Sequence, residues 1–405
     1  MIRVRTDRRT VLKILTASGG LPWFVPTVAR IGCAQDRPVE AGVPMETGGS
    51  GESDGTADVP LLPLFSCVEP SLGDLWGRAA VISDIVVVPG GDPDTVTLLT
   101  CGDDHWLRMW QLSLTVPVAV PDVATEVERV PGRTPPVPGH EPMWVRRGGK
   151  EAHEDWVHAL AISGDGSLAI SGDAKGRILL WRFNDRGVPD ETPQILQGRG
   201  PAILSAVRCP GTGDFVLAGE NGTVRRYRAT GPDSQSFAGT IGTLRSVDAS
   251  PDGNYIAVGG DRGEIVVYST RTGAVTARLA TIGRRIRCVR FSPDGRRLVA
   301  AGDAGILYLC GFDPTDGTIP ERGAFPRQVG RIYSLVWLGD RYVATGASDG
   351  RIRILQVDTR NVIMRSDAAG HTGTITSMRW LADTATLISG GYDTTIRLWR
   401  PSLPG

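Results

Sequence analysis

The sequence predicts an all-β protein, a seven-bladed β-propeller of four-stranded antiparallel blades. Three observations lead there. One unit recurs seven times between Gly77 and Arg400: an apolar strand, a turn, a glycine-bounded strand and a strand of I-R-L-W type. The residues opening the inner strands, Ile82, Val157, Ile203, Leu244, Ile286, Ile332 and Ile375, are 41 to 46 residues apart, with one interval of 75. Gly and Pro gather between short alternating runs, as in Val289–Gly302, where a Ser-Pro-Asp-Gly turn joins two strands, and again at Ser250-Pro251-Asp252-Gly253. A repeat of this length cannot bury its own apolar face, so neighbours must stack.

The chain starts outside that array. Lys and Arg total 44, and so do Asp and Glu, but residues 1–34 carry six cations against one acid and residues 35–60 one cation against six acids. A basic segment leading into an apolar, glycine-containing run has the layout of an export signal, which sets residues 1–34 apart from the fold. Asp7–Lys13 (DRRTVLK) resembles the bacterial twin-arginine motif. That resemblance implies a bacterial protein exported folded, so a periplasmic location is expected. Cleavage is expected after Ala29 or Ala34. Ile31-Gly32-Cys33 also resembles the end of a lipoprotein signal, in which Cys33 would carry a lipid and tie the protein to a membrane. A cytoplasmic location is the remaining alternative. Residues 35–60, acidic and rich in Gly, Pro and Ser, read as a disordered linker.

Residues 61–405 read as the propeller. The last unit, Gly370–Trp399, contains GHTGTITSMRW and LISGGYDTTIRLW. This pattern resembles the WD repeat (WD-40 type), and the resemblance covers about residues 61–400. It implies a buried hydrogen-bonded tetrad in each complete blade, here His371, Ser389, Asp393 and Trp399. Blade two keeps His153, Ser171 and Trp181 but has Lys175 at the Asp position. Blade one keeps Thr100, Asp104 and Trp110, with Arg78 in place of His. Blade six keeps Thr345 and Asp349, with Leu355 for Trp. Blades three to five keep mainly the apolar pattern.

The seventh unit ends on its third strand, so the missing outer strand is expected from Pro63–Val68 (PLFSCV), clasping the two ends of the ring and covering open edges. By the same offset, outer strands are expected near Met143–Arg147 in blade one and Asn361–Met364 in blade six. The long interval then becomes an insertion at about 113–142, Pro-rich and on the face opposite the Gly-His loops.

Chemistry is sparse. None of the five histidines stands in a metal-ligand spacing, and the six cysteines, at 33, 67, 101, 209, 288 and 310, show no C-x-x-C. Neither a G-x-S-x-G elbow nor a phosphate loop appears in a strand-to-helix context. No cofactor and no metal are expected, and the neutral body gives no case for nucleic acid. No run of 18 apolar residues suggests a membrane span. What remains is a surface. In WD-repeat propellers the face carrying the Gly-His loops commonly binds partners. The residues at the mouths of the inner strands there include Trp156, His158, Arg245, Arg284, Arg285, Arg287, Arg331 and Tyr333. Aromatics and arginines anchor interfaces. The expectation is a non-catalytic, monomeric scaffold for a protein or peptide partner, an acidic one unless the arginines pair with Asp248, Asp261 and Asp303. The alternative is a hydrolase or lactonase type of propeller enzyme with a channel metal.

Overall fold

The structure, a computed structural model, describes residues 59–61, 63–68, 80–90, 94–114, 142–146, 153–184, 189–190, 192–229, 234–238, 242–281, 284–366 and 370–404. The expected leader, with Cys33, most of the acidic linker, Arg78 and most of the insertion lie outside these residues. Seven sheets, each with four antiparallel strands, succeed one another along the chain. The inner strands are Ile82–Val88, Val157–Ile162, Ile203–Arg208, Leu244–Ala249, Ile286–Phe291, Ile332–Leu338 and Ile375–Leu381. Each begins on the residue the spacing predicts. The outer strand of blade one is Pro142–Arg146 and that of blade six is Val362–Ser366, each one residue from its expected start.

Alternation decides what each blade buries. Seven apolar clusters form among the described residues, one between each pair of neighbouring blades. Between blades seven and one, Ile396 and Leu398 pack with Ile82, Leu98 and Trp110. The ring is therefore closed by packing of its last blade on its first. Fully burying one such side chain stabilises by about 1.5–3 kcal/mol relative to exposure, so each interface outweighs any single surface contact. Hydrogen bonds repeat along the same seams: Ser205, Ser246 and Ser377 each accept, through Oγ, the backbone N–H of Val247, Val289 and Ile85 in the next blade (3.1, 3.1 and 3.2 Å). Where blade five has Cys288 instead of serine, the thiol is buried and contacts the Ala301 carbonyl at 3.5 Å. Burial pushes that thiol up to about 12.

The backbone of Pro63–Val68 runs antiparallel to Thr395–Trp399, with Phe65 opposite Leu398. The preceding segment, Val59–Leu61, lies parallel to the outer strand of blade six, with Pro60 opposite Arg365. That fifth strand was not legible from the repeat, because it belongs to no repeat.

Two backbone features set up the channel. Every inner strand has a bulge after its first residue, where the register shifts, as between Ile82 and Asp84 or Leu244 and Ser246. A bulge re-aims the extra side chain, and Ser83, His158, Leu204, Arg245, Arg287, Tyr333 and Thr376 are half-buried, each directly after a buried residue. The turn before each third strand needs one residue in the left-handed region. Gly176, Gly222, Gly263, Gly305 and Gly350 supply it in five blades; His105 (φ 71°) and Thr394 (φ 65°) do so in blades one and seven.

Candidate functional site

The tetrad of blade seven is complete. Asp393 accepts from His371 Nδ1 (2.9 Å), which fixes the tautomer and leaves Nε2 as an acceptor for the Ser389 hydroxyl (2.7 Å). Ser389 Oγ in turn accepts the Trp399 indole N–H at 2.8 Å. Burial alone would raise the Asp393 carboxyl; the His371 hydrogen bond and charge, with Thr395 and the Thr372 N–H, hold it below the usual carboxylate range. These four side chains brace the blade and are not free to act on a ligand.

Blade two builds the same relay from a different residue. His153 Nδ1 meets Asp173 at 3.0 Å, Nε2 meets Ser171 at 2.6 Å, and the Trp181 indole donates to Ser171 at 2.8 Å. Lys175, which sequence alignment puts at the Asp position, is instead half-exposed, with Nζ on the Glu154 carbonyl (3.1 Å). The carboxylate comes from two residues earlier, at the end of the second strand, and also accepts the backbone N–H of Lys175 and Arg177. In blade six, Gln328 stands where histidine would, four residues before Ile332, and its Oε1 accepts from Thr345 (2.9 Å). Asp349 there binds Arg353 rather than a histidine (2.6 Å). In blade one, Asp104 binds the buried Arg108, and Thr100 accepts the Trp110 indole N–H (2.9 Å).

The residues expected to form a docking surface lie at or just before the starts of their inner strands, beside the Gly-His loops. Trp156 is 44% exposed and meets His158 edge-on, ring centroids 5.8 Å apart. Arg287 lies over the Tyr333 ring at 4.1 Å. Tyr392 (50% exposed), in the turn next to the tetrad aspartate, is close enough to Tyr333 and Arg287 to interact electrostatically, and Val329 (73% exposed) stands on the same face. Sequence reading missed these two. An aromatic residue in the Gly-Tyr-Asp turn was the available signal.

The arginines are less free than five cations at one mouth suggest. Arg245 pairs with Asp261, Arg287 with Asp303, and Arg285 reaches both, at 2.8 and 3.7 Å. Burial would raise the Asp261 carboxyl, but the Arg245 hydrogen bond and the charges of Arg245, Arg285 and Arg287 outweigh it and hold it low. Asp248 takes no part in that network. Its Oδ2 accepts the Phe291 N–H at 2.7 Å, toward the far end of the inner strand. Arg284 and Arg331 are exposed, and neither forms an ion pair with a described residue. Among the described residues no group of three or more His, Cys, Asp or Glu is placed to hold a metal ion. Cys101, Cys209, Cys288 and Cys310 are buried free thiols.

Comparison with known proteins follows the same seams. The family model for the WD domain, G-beta repeat, matches residues 147–182, 233–269, 278–309 and 365–400, which fall on blades two, four, five and seven. The chain carries WD40 repeats. Blades four and five are matched without a tetrad, so their WD40 character lies in the apolar pattern and turns. Blades one, three and six are recognised through the ring they complete. One stretch of 76 residues is 42% identical to the APC/C activator protein CDC20 of Saccharomyces cerevisiae. That alignment takes in 18% of this chain and 12% of the yeast protein, so the match spans only a small part of either.

Proposed function

We propose that this WD40 propeller is a non-catalytic scaffold that docks a protein or peptide partner on the face carrying the Gly-His loops. One observation carries the reading: Trp156, Val329 and Tyr392 are large apolar side chains exposed on the Gly-His-loop side of blades two, six and seven, where the histidines of blades two and seven are already held by their own blades. Exposed aromatics and an arginine network are the residue types that supply binding energy at interfaces. An acidic partner is supported by arithmetic at the mouth, where Arg245, Arg285 and Arg287 face two carboxylates, Asp261 and Asp303. The uncompensated charge, with Arg284 and Arg331 beside it, is where acidic side chains would land. The yeast relative is an activator of APC/C, and a protein-docking role for this chain is in keeping with that description.

A monomeric state belongs to the same proposal, as do export through residues 1–34 and a periplasmic address, which rest on the twin-arginine-like Asp7–Lys13. N-terminal sequencing of the mature protein tests the leader. The docking surface is tested by affinity capture from envelope extracts, with bound proteins identified by mass spectrometry. W156A/Y392A and R284E/R331E, the latter at exposed arginines without an ion pair among the described residues, are each expected to lose the captured partner while keeping the wild-type melting temperature. Retention of every partner by both variants would remove the proposal.

A further inference from the structure

At the other end of the channel, where the inner strands finish, all seven blades enclose a cavity of about 940 Å³. Sequence reading pointed only to the opposite mouth. The wall is divided. Blades one, two, three and six contribute Val86, Val88, Ala161, Val207 and Val336, blades four, five and seven contribute Asp248, Arg290 and Arg379, and the exposed Arg208 of blade three and Asp383 of blade seven also line it. The volume falls within the range of about 300–1,000 Å³ typical of small-molecule sites.

The charged side is built and oriented. Arg379 is committed: its guanidinium binds Asp84 Oδ1 (2.9 Å) and the Met378 carbonyl (2.8 Å), tying blade seven to blade one. Arg290 is held at one nitrogen only. Its Nη1 donates to Ser246 Oγ (3.1 Å) and the Val289 carbonyl (2.7 Å), while Nε and Nη2 meet no acceptor among the described residues. That edge of a guanidinium carries two parallel N–H groups, the spacing that matches both oxygens of a carboxylate. Asp248, also on the cavity wall, has Oδ2 on the Phe291 N–H and acceptor capacity to spare on Oδ1. Its charge, close to Arg290, disfavours a dianion such as phosphate. A ligand hydroxyl or ammonium beside the acid group would satisfy it.

We propose that this cavity binds a small amphipathic monocarboxylate, its acid group on the free edge of Arg290 and its apolar body against Val86, Val207 and Val336. The site is independent of the docking face. A hydroxyl or amino group next to the acid would add a contact to Asp248.

The test is calorimetric titration of the full chain with 3-phenylpropanoate, 2-hydroxy-3-phenylpropanoate and 3-phenylpropan-1-ol. Both acids are expected to bind, the hydroxy acid more tightly, and the alcohol at least about tenfold more weakly, as loss of a charged hydrogen-bonded pair requires. Arg290→Gln should weaken the acids by a similar factor. Arg290→Lys should weaken them less, since it keeps charge and loses the fork. Arg271→Gln, exposed and outside the cavity wall, should change nothing. Equal binding of acid and alcohol, no binding of any probe, or unchanged affinity in a folded R290Q would each overturn the proposal. The wild-type comparison of acid with alcohol decides even if R290Q does not fold.

Discussion

Ser389→Ala removes one hydroxyl and strands two partners at once. The Trp399 indole N–H, in a side chain with no exposed surface, loses its only acceptor at 2.8 Å. His371 Nε2 loses its donor at 2.7 Å, and Asp393 on Nδ1 prevents the ring from switching tautomer to compensate. Leaving a buried polar group without a partner costs about 1–3 kcal/mol, so two groups cost about 2–6 kcal/mol. At about 2 °C per kcal/mol for a domain of this size, the melting temperature should fall by about 4–12 °C. Ser171→Ala should cost the same, because His153 and Trp181 depend on Ser171 at 2.6 and 2.8 Å in the same way. Thr100→Val strands the Trp110 indole alone and should cost about half as much. Differential scanning calorimetry at neutral pH reads all three. An S389A transition within about 2 °C of wild type, or a T100V cost equal to that of S389A, would refute the relay argument.

The remaining predictions concern single elements. Lys175→Ala should shift stability by less than about 1 kcal/mol, since its ion pair with Asp155 is long (3.8 Å) and exposed. Asp173→Asn should cost several times more, and urea unfolding ranks the two. Burial, opposed by Asp173, lowers the pKa of His153 below 6.5, and burial does the same to His158. The unfolded chain therefore binds more protons than the folded one below pH 6.5, so stability is full above that value and is lost as pH falls through it. Melting temperatures measured from pH 7.5 to 5.5 should decline in the wild type and more shallowly in His153→Gln; identical profiles would remove His153 as the cause. We further propose that Pro63–Val68 clasps the ring. Deleting residues 1–68 would uncover the edge of Thr395–Trp399 and should lower the melting temperature and promote association, read by light scattering.

Much of the fold was legible because its determinants are local. Alternation and turn chemistry act within a few residues, so the seven inner-strand starts, the Ser-Pro-Asp-Gly turns and the blade-seven tetrad could be read directly. The site was only partly legible. His158, Arg245, Arg287 and Tyr333 occupy the bulged position, which repeats with the blade and can be counted. Lys175 misled the alignment because the relay requires a carboxylate near His153 Nδ1 in space, and Asp173 meets that need from another register. Asp248 was assigned to the wrong end of the channel because its nearest cations depend on which side of an inner strand it occupies.

By itself, then, the sequence determined the period, the strand order and the composition of each blade, since these follow from hydrophobic patterning over about forty residues. Only the tertiary structure decided which charges neutralise one another across blades four and five, that Arg290 keeps an unpaired edge, and that the far end of the channel is a cavity. Those outcomes depend on closing the ring, which sets side by side residues from separate repeats whose distances no local pattern encodes.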